Sequence, residues 1–339
     1  MLTCLKKINI TMNNSLLKEL EKFSPTASDL ISIEDLKKSE IENIFNLVEK
    51  TENLLKGEMK KTFLLKGKTQ LNFFMENSTR TRTSFELAGK NLGADTINIS
   101  ASASSMSKGE SLLDTAVTLD SMQPDIIVMR TPSSGAVKYF AKNVHAAVIN
   151  AGDGCNEHPS QALLDLYTMQ KFHGKNLKGK KLVIVGDILH SRVFGSLARA
   201  AKLFGLNTIV TTPHTLIRPD LSYFNVTHEP NIEKALKDAD IIYSLRLQTE
   251  RASLSYVPSI REYSKTYIIN AARLKFANPN AIVMHAGPVI REVDIHTNVL
   301  ETEHSLVPHQ VFSGYCIRFV LLNLFANKRK LKKVDSRPF

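Results

Sequence analysis

The hydrophobic positions of the chain follow two different periods in alternation. Short, continuous apolar runs such as QLNFFME (70–76) and DIIVMR (125–130) have the length and composition of buried strands. Between these runs lie segments with apolar residues at helical spacing, such as TSFELAGKNLG (83–93), which predict amphipathic helices. Repeated alternation of strand and helix predicts parallel β-sheets that are covered by helices on both faces.

The predicted elements form two blocks, 70–152 and 182–285, which are joined by a long helix that starts near His158. The predicted strands are 70–76, 96–100, 125–130, 146–152, 182–187, 207–213, 241–246, 267–272 and 281–287. The predicted helices are 83–93, 109–122, 134–143, 158–174, 191–205, 231–240 and 307–325. The expected fold class is α/β, with two doubly wound parallel-sheet domains. Because open α/β sheets bind ligands at the carboxyl ends of their strands, we expect the active site in the cleft between the domains.

The domain boundaries are expected where this pattern begins, changes and stops. A length of 339 residues suits two medium-sized domains, each large enough to have its own core. The expected divisions are an N-terminal extension at 1–25, a first domain at 26–160 completed by the C-terminal helix 306–326, a second domain at 161–305, and a basic tail at 327–339.

The composition restricts the class of protein. Hydrophobic residues make up 43% of the chain and charged residues 23%, as in soluble globular proteins. No apolar run approaches the roughly 18 residues of a membrane span, and residues 1–14 lack the apolar core of a signal peptide. Cys4, Cys155 and Cys316 are widely spaced, which favours reduced thiols in a cytoplasmic protein. Neither the cysteines nor the ten histidines show ligand spacing, so we expect no bound metal.

The net charge of +11 first suggests nucleic-acid binding. The tail 327–339 carries six basic residues and one acid, so it supplies +5 of that charge. The rest of the chain is only mildly basic and has no basic stripe interleaved with aromatic residues. We therefore expect a solvated tail and no nucleic-acid partner, although a binding role for the tail stays open. A mildly basic body also suits a small anionic substrate.

The stretch STRTRTS (78–84) has five hydroxyls, two arginines and no acid. It lies between the end of a predicted strand and the start of a predicted helix, where backbone N–H groups lack intrahelical partners and the helix dipole is positive. Together with Ser78, Thr79, Arg80 and Thr81, this start of a helix suits a phosphate group. The alternative is a polar helix cap with solvated arginines. The stretch lacks the GxxxxGK[ST] pattern of a nucleoside triphosphate site.

Further polar residues follow the other predicted strands of the first block. Ser104 and Lys108 lie in a serine-rich loop before a helix, and Arg130 ends a strand. His158 and Gln161 lie three residues apart at the start of the long helix, and so on one face of it. Each of them could instead be an ordinary surface or capping residue. Together they predict one site, because all follow strands at the same sheet edge.

The second block contributes a different set of residues. Arg192 follows the strand 182–187, and RLQTER places Arg246, Gln248 and Arg251 after the next predicted strand but one. Guanidinium groups bind carboxylates through paired hydrogen bonds, so a cluster of them predicts an acceptor substrate with two carboxylates. The alternative is a set of surface salt bridges.

These stretches resemble the carbamoyltransferase family over roughly residues 26–326. STRTRTSFE, SKGESLLDT and HPSQALLDLYT are similar to the family's carbamoyl-phosphate motifs, and RLQTER resembles the aspartate branch rather than the ornithine branch. HAGP (285–288) is similar to the family's HPGP-type loop. Ala286 replaces its usual proline, and Ile290 and Glu292 replace a common asparagine and glycine.

The resemblance implies a reaction in pyrimidine biosynthesis, in which carbamoyl phosphate and L-aspartate give N-carbamoyl-L-aspartate and phosphate without a cofactor. It assigns 26–160 to carbamoyl phosphate and 161–305 to aspartate. The implied catalytic residues are Arg80, Thr81, Arg130 and His158. The implied carbamoyl-phosphate ligands are Ser78, Thr79, Arg80, Thr81, Ser104, Lys108, Arg130, His158 and Gln161. The implied aspartate ligands are Lys108, Arg192, Arg246, Gln248, Gly287 and Pro288.

The resemblance also implies an assembly and a movement. Family members form homotrimers in which Ser104 and Lys108 reach into the neighbour's active site, and some bind a separate regulatory chain. On closure of the domains, Glu76 is expected to pair with Arg192 and Arg251.

Three other functions remain as alternatives. An ornithine carbamoyltransferase needs acidic partners for the second ammonium group of its substrate, and RLQTER offers arginines instead. A nicotinamide dehydrogenase needs a GxGxxG turn, which the segment around Asp187 lacks. A nucleic-acid-binding protein would depend on the basic tail.

Overall fold

A computed structural model describes residues 19–20, 22–58, 60–100, 109–248 and 256–328. The predicted site residues Ser104 and Lys108, together with Arg251, lie outside the described residues. The chain forms two compact units. One unit extends to Gly154 and resumes at Gly314, and the other is Cys155–Ser313.

The first unit contains a sheet of four parallel strands in the order β2-β1-β3-β4. Its strands are β1 (Thr69–Phe74), β2 (Asp95–Ser100), β3 (Ile126–Thr131) and β4 (Ala147–Asp153). Its helices before Gly154 are α1 (Lys38–Lys56), α2 (Thr79–Leu92), α3 (Leu112–Ser121) and α4 (Ala136–Lys142). Phe73, Met129 and Phe140 are fully buried in its core, which explains the continuous apolar runs of its central strands.

The second unit contains a sheet of five parallel strands in the order β7-β6-β5-β8-β9. Its strands are β5 (Lys181–Gly186), β6 (Asn207–Thr211), β7 (Val226–His228), β8 (Ile241–Leu245) and β9 (Ile282–His285). Its helices are α5 (Pro159–His173), α6 (Arg192–Phe204), α7 (Ile232–Leu236), α8 (Ile260–Tyr267), α9 (Ala271–Leu274), α10 (Thr297–Leu300) and the first part of α11 (Val307–Phe325). Two parallel α/β sheets confirm the predicted fold class.

The helix after β1 begins earlier than the sequence pattern predicted. The apolar spacing placed its start at residue 83, whereas α2 begins at Thr79 with an extended Ser78 before it. The first helical hydrogen bond is donated by Arg82 N–H to the Ser78 carbonyl oxygen. Polar residues form this first turn because its outer face does not pack on the core, so the apolar period starts one turn late.

The predicted strand 267–272 is wrong. Ser259 caps α8 and Asn270 caps α9, each by accepting a backbone N–H, so helices flank the apolar residues on both sides. Only an isolated bridge joins Ile269 to Ile295. Helices α1, α8, α9 and α10 and the short strand β7 were not predicted.

None of the helices in the described part of the chain is long and apolar enough to cross a membrane.

Candidate active site

The start of α2 has a donor geometry that suits an anion. The helix itself provides no carbonyl acceptor for the backbone N–H groups of Thr79, Arg80 and Thr81. Ser78 holds the extended conformation that directs the chain from β1 into the helix, and the Thr81 side chain is buried. Backbone donors and hydroxyls therefore converge where the sequence predicted a phosphate site.

The charges in this first turn oppose the helix dipole. Arg80 and Arg82 both lie in it, and the turn contains no acidic residue. Cations at the N-terminus of a helix are unfavourable by about 0.3–1 kcal/mol each, because that end already carries partial positive charge. Two arginines at this end therefore destabilise the helix while no ligand is bound, but the same positive charges stabilise a bound dianion.

Arg130 is held at the same edge of the first sheet. It lies opposite Phe74 in the parallel pairing of β1 with β3, so its side chain emerges beside the loop that follows β1. Its Nε donates to Glu76 Oε2 at 3.3 Å, and its Nη1 donates to Ser78 Oγ at 3.3 Å. Glu76 thus positions Arg130 in the first unit, a contact that the sequence analysis did not foresee.

The start of α5 carries His158 as the residue before its first turn, with Pro159 at the first helical position as predicted. The His158 backbone N–H donates to Ser196 Oγ at 2.8 Å, and the Ser196 hydroxyl donates to Glu157 Oε2 at 2.8 Å. Arg199 Nε lies 3.5 Å from Glu157 Oε1 and balances the buried carboxylate. This chain of contacts fixes the position of His158 against α6.

Gly195 allows α6 to approach the segment before α5 closely. A Cβ atom at Gly195 would lie 1.9 Å from the carbonyl oxygen of Asn156, which is backbone and cannot move aside cheaply. Any larger residue at this position must therefore push the start of α5 away from α6, which begins at Arg192.

We expect Gly195→Ala to lower the stability of the second unit and to impair activity together. Overpacking of this kind costs about 1–3 kcal/mol or more, which corresponds to a fall in Tm of about 2–4 °C per kcal/mol for a domain of this size. A thermal melt and a substrate titration measure the two effects. Leu203→Ala, on the exposed face of the same helix, is the control and should change neither. A Gly195→Ala protein with unchanged Tm and KM values would contradict this account of the helix contact.

Gln161 lies three residues into α5 and is nearly buried. Its Nε2 donates to Asp165 Oδ1 at 3.1 Å, one helical turn further along. The amide nitrogen is thereby occupied inside the protein, so the amide oxygen is the end of Gln161 that remains for a ligand.

The predicted acceptor residues gather at the carboxyl ends of neighbouring strands in the second sheet. Gly186 of β5 pairs with Leu245 of β8, so the segments that follow these strands start side by side. Arg192 is buried at the first position of α6. Arg246 Nη2 donates to Gln248 Oε1 at 3.2 Å, which orders these two predicted side chains against each other.

Asp187 links the segment that follows β5 to the segment that follows β8 through hydrogen bonds. Its carboxylate is fully buried and accepts the backbone N–H of Gln248 at 3.2 Å and that of His190 at 3.0 Å. The His190 ring nitrogen Nδ1 also lies 3.0 Å from Asp187 Oδ2. One buried carboxylate therefore fixes both the segment before Arg192 and the segment that carries Gln248.

The loop after β9 starts at the same edge of the second sheet as the segment after β8, because Ser244 of β8 pairs with His285 of β9. Gly287 N–H donates to His285 Nδ1 at 2.7 Å, so Nδ1 is the acceptor nitrogen of that ring. Gly287 has a φ of 68°, a left-handed conformation that favours glycine, and its bond to Pro288 is cis. The loop is thus shaped by its own sequence, although Ala286 replaces the family's usual proline.

Asp294 supports the same loop from within the protein. Its Oδ2 accepts the Ile290 N–H at 2.8 Å and lies 3.3 Å from His285 Nε2. The pair of side chains holds both ends of the 286–290 segment.

The backbone conformation at Glu292 is one that favours glycine, which is common at this position in the family. Its φ is 64°, a conformation that costs little in glycine but is strained in other residues. The Glu292 carboxylate compensates by accepting the hydroxyl of Thr297 at 2.7 Å and its N–H at 3.0 Å. The hydroxyl hydrogen bond from Thr297 is the main cause that lowers the pKa of Glu292 below its ordinary value.

The structure thus divides the predicted site residues between the two units. Five lie in the first unit, and they are Ser78, Thr79, Arg80, Thr81 and Arg130. Seven lie in the second unit, and they are His158, Gln161, Arg192, Arg246, Gln248, Gly287 and Pro288. Sequence reasoning missed four acids that hold them, which are Glu157, Asp165, Asp187 and Asp294, and it did not foresee the contact of Glu76 with Arg130. Among the described residues, no group of three or more His, Cys, Asp or Glu side chains could hold a metal ion.

Comparison with known proteins agrees with this geometry. The carbamoyl-P binding domain of aspartate/ornithine carbamoyltransferases matches residues 28–171, and the Asp/Orn binding domain of the same family matches residues 178–324. The chain belongs to the aspartate/ornithine carbamoyltransferase family. The resemblance stated from the sequence motifs is therefore confirmed.

Individual relatives of the family cover nearly the whole chain. The aspartate carbamoyltransferase catalytic subunit of Ruminiclostridium cellulolyticum is 45% identical over 310 residues, which is 91% of this chain and 99% of the relative. The crystal structure of aspartate transcarbamoylase from Trypanosoma cruzi with carbamoyl phosphate and aspartate has a TM-score of 0.78 at 28% identity, covering 88% of this chain and 98% of that chain. Ornithine carbamoyltransferase from Pyrococcus furiosus has a TM-score of 0.80 at 28% identity, with coverage of 89% and 98%.

Proposed function

We propose that this chain transfers the carbamoyl group of carbamoyl phosphate to the amine of L-aspartate, giving N-carbamoyl-L-aspartate and phosphate. The observation that carries the proposal is the ordered pair Arg246–Gln248 beside buried Arg192 at the carboxyl edge of the second sheet. Guanidinium groups there suit the two carboxylates of aspartate. They repel the second ammonium group of ornithine, which distinguishes the two branches of the family. The reaction serves pyrimidine biosynthesis in the cytoplasm and needs no cofactor or metal.

The start of α2 binds the phosphate of the donor substrate in this proposal. Ser78, Thr79 and Thr81 offer hydroxyls, the first-turn N–H groups point out of the helix, and Arg80 supplies positive charge. The phosphate group gains negative charge as it leaves, so these donors bind the transition state more strongly than the ground state.

The carbonyl group of the donor substrate is bound by a second set of groups. Thr81, Arg130 and His158 stabilise the negative charge that develops on the carbonyl oxygen when the amine attacks, which is the role of an oxyanion hole. The Gln161 amide oxygen and the backbone carbonyls around Pro288 accept hydrogen bonds from the carbamoyl NH2. We assign the proton that the amine loses to the departing phosphate, so the protein itself contributes positioning and electrostatic stabilisation.

The aspartate carboxylates are bound by Arg192, Arg246 and Gln248, with the backbone at Gly287 and Pro288 beside them. Buried Asp187 fixes the segments that carry the first three residues, which supports a preorganised acceptor site. Preorganisation matters because each immobilised long side chain otherwise costs entropy on binding.

We also propose a homotrimer with shared active sites, in which Ser104 and Lys108 act in a neighbouring subunit. The exposed surface of the first unit supports an interface with other copies of the chain. Among the described residues strand β2 is an edge of the first sheet, and Ile97 on it is 50% exposed. Leu87 and Phe63 of the same unit are also exposed. Some members of this family bind a separate regulatory chain, whereas nucleic acid and membranes are not proposed as partners.

The proposal predicts substrate choice. Purified protein supplied with carbamoyl phosphate should release phosphate rapidly when L-aspartate is added and only at the background rate when L-ornithine or no amine is added. Initial rates of phosphate release measure this directly. Comparable rates with ornithine would place the chain in the ornithine branch, and background rates with both amines would reject both readings.

A further inference from the structure

Asp165 is a fully buried carboxylate to which the proposed mechanism gives no role. It lies on α5 one helical turn after Gln161, and side chains from three elements converge on it. Gln161 Nε2 donates to Oδ1 at 3.1 Å, Gln310 Nε2 of α11 donates to Oδ1 at 2.7 Å, and the Tyr243 hydroxyl of β8 donates to Oδ2 at 2.8 Å. A buried carboxylate is stable only with such hydrogen bonds, so this cluster is ordered around Asp165.

An ionised carboxylate can only accept hydrogen bonds. A primary amide has a donor end and an acceptor end, so a carboxylate beside it decides which end faces inward. Asp165 therefore holds the nitrogen of Gln161 and leaves its oxygen at the far end of the amide. An asparagine at this position could meet the amide with either end, and the orientation would no longer be fixed.

The same argument applies to Gln310. Its nitrogen faces Asp165, and its oxygen accepts the backbone N–H of His285 at 2.9 Å. His285 is the last residue of β9 and directly precedes the 286–288 loop. Asp165 thus fixes two things through two amides. Through Gln161 it fixes the position of the Gln161 oxygen, and through Gln310 it fixes His285, where the 286–288 loop with its backbone carbonyls begins.

Tyr243 remains a donor in this cluster. Burial, followed by the charge and hydrogen bond of Asp165, raises the pKa of the Tyr243 hydroxyl well above its ordinary value, so it keeps its proton. Its hydroxyl also has side-chain hydrogen-bond interactions with Gln161 and Gln310, so Tyr243 belongs to the same ordered cluster.

We propose that Asp165 is a positioning residue that makes the donor site selective for an NH2 group next to the carbonyl. Through Gln161 and Gln310 it presents acceptors, and only acceptors, to that substituent. A methyl group of the same size offers no hydrogen to them and leaves the acceptors unpaired, which is why such sites discriminate strongly. The inference rests on the proposed function, because it assumes that Gln161 binds the carbamoyl NH2.

The test uses two stable phosphonates that differ only in this substituent. Phosphonoacetamide carries NH2 beside its carbonyl, and 2-oxopropylphosphonate carries CH3. Titration calorimetry gives the ratio of their Kd values for each protein variant, with inorganic phosphate as a probe of the phosphate-binding part alone. We expect the wild-type chain to prefer the amide, and D165N to lose about tenfold or more of that preference while phosphate affinity is unchanged, since one lost hydrogen bond to a charged or polar group has about this effect.

Matched variants separate positioning from stability. L236A removes buried apolar volume from the core of the same unit and none of the hydrogen bonds of Asp165, so we expect a lower Tm but a wild-type Kd ratio. Q161M should have a low ratio by itself, and adding D165N to it should change the ratio little further, because the two residues act in series. A ratio that falls in L236A as much as in D165N, or falls additively in the double variant, would overturn the positioning role.

A second variant keeps the test decisive if D165N does not fold. Q310M removes the other amide that Asp165 orders and leaves the carboxylate with its hydrogen bonds from Gln161 and Tyr243. We expect it to lose part of the preference for the amide with unchanged phosphate affinity, because the start of the 286–288 loop is no longer held through His285. A wild-type chain with no preference overturns the proposed function together with this inference. A wild-type preference that D165N retains, or that Q310M retains where D165N does not fold, overturns the inference alone.

Discussion

Arg80→Ala is expected to lower kcat by about 10²-fold or more, the size of effect seen when one preorganised donor to a developing charge is removed. Arg80 lies in the first turn of α2, where its charge adds to the partial charge of the helix start. The departing phosphate becomes more negative as the bond to the carbonyl carbon breaks, so the loss falls mainly on the transition state. Steady-state kinetics with saturating carbamoyl phosphate and aspartate measures it.

Arg82→Ala is the matched control for this variant. Arg82 occupies the same turn and carries the same charge, but it is near Glu86, whose pKa is lowered mainly by the hydrogen bond from Lys90 and to a smaller extent by the charge of Arg82. We expect its replacement to leave kcat within about twofold, because a solvent-exposed charge that already interacts with Glu86 contributes little. Equal losses in the two variants would mean that the helix start needs only net positive charge, and an unchanged kcat in Arg80→Ala would make Arg80 a capping residue.

Arg246→Ala is expected to raise the KM for aspartate by about 10- to 150-fold, with a small change in the KM for carbamoyl phosphate. A hydrogen bond to a charged group contributes roughly 1.5–3 kcal/mol, and each 1.4 kcal/mol corresponds to a factor of about ten. The effect falls on one substrate because Arg246 lies at the edge of the second sheet, and its Nη2 also holds Gln248 Oε1. Initial rates over a range of each substrate measure both KM values.

Arg261→Ala provides the control for the loss of positive charge from the second unit. Arg261 is exposed on α8, so we expect both KM values to remain near those of the wild-type chain. If Arg246→Ala weakens both substrates equally, Arg246 does not belong to the acceptor half of the site. If Arg261→Ala raises the aspartate KM as much as Arg246→Ala does, general electrostatic attraction accounts for the effect.

The sequence pattern predicted the sheets well because buried parallel strands give continuous apolar runs between helices. It failed where capping decided the structure. The run at 267–272 has strand-like composition, but Ser259 and Asn270 start helices on either side of it, and tertiary contacts leave only one bridge at Ile269. The start of α2 was placed too late for a related reason, since its first turn contributes little apolar surface.

The site was predictable to the extent that functional side chains follow strands. Arg130 and Arg246 lie at the ends of β3 and β8, and parallel strands bring such ends to one edge. The supporting acids were not predictable, because a sequence does not tell which carboxylates are buried. Asp187 follows a strand and Asp165 follows Gln161 by one turn, and these spacings were the only local signals.

The buried acids give the second unit its common design. Asp165 and Asp187 accept hydrogen bonds from Gln161 and from the backbone of Gln248. Glu157 accepts one from Ser196, which in turn accepts the His158 N–H, and Asp294 accepts one from the backbone of Ile290, two residues after Pro288. Carboxylates held in this way are strong acceptors inside a protein, so they fix backbone and amide orientation before substrate binds.

The central claim is that the chain selects aspartate as the carbamoyl acceptor, and one competition experiment tests it most directly. The purified protein is given carbamoyl phosphate with equal concentrations of L-aspartate and L-ornithine, and mass spectrometry identifies the carbamoylated products during the initial phase of the reaction. Competition cancels errors in protein concentration and active fraction, because both amines meet the same enzyme. The account predicts N-carbamoyl-L-aspartate with citrulline only at the level of an enzyme-free control, whereas citrulline as the main product would contradict it.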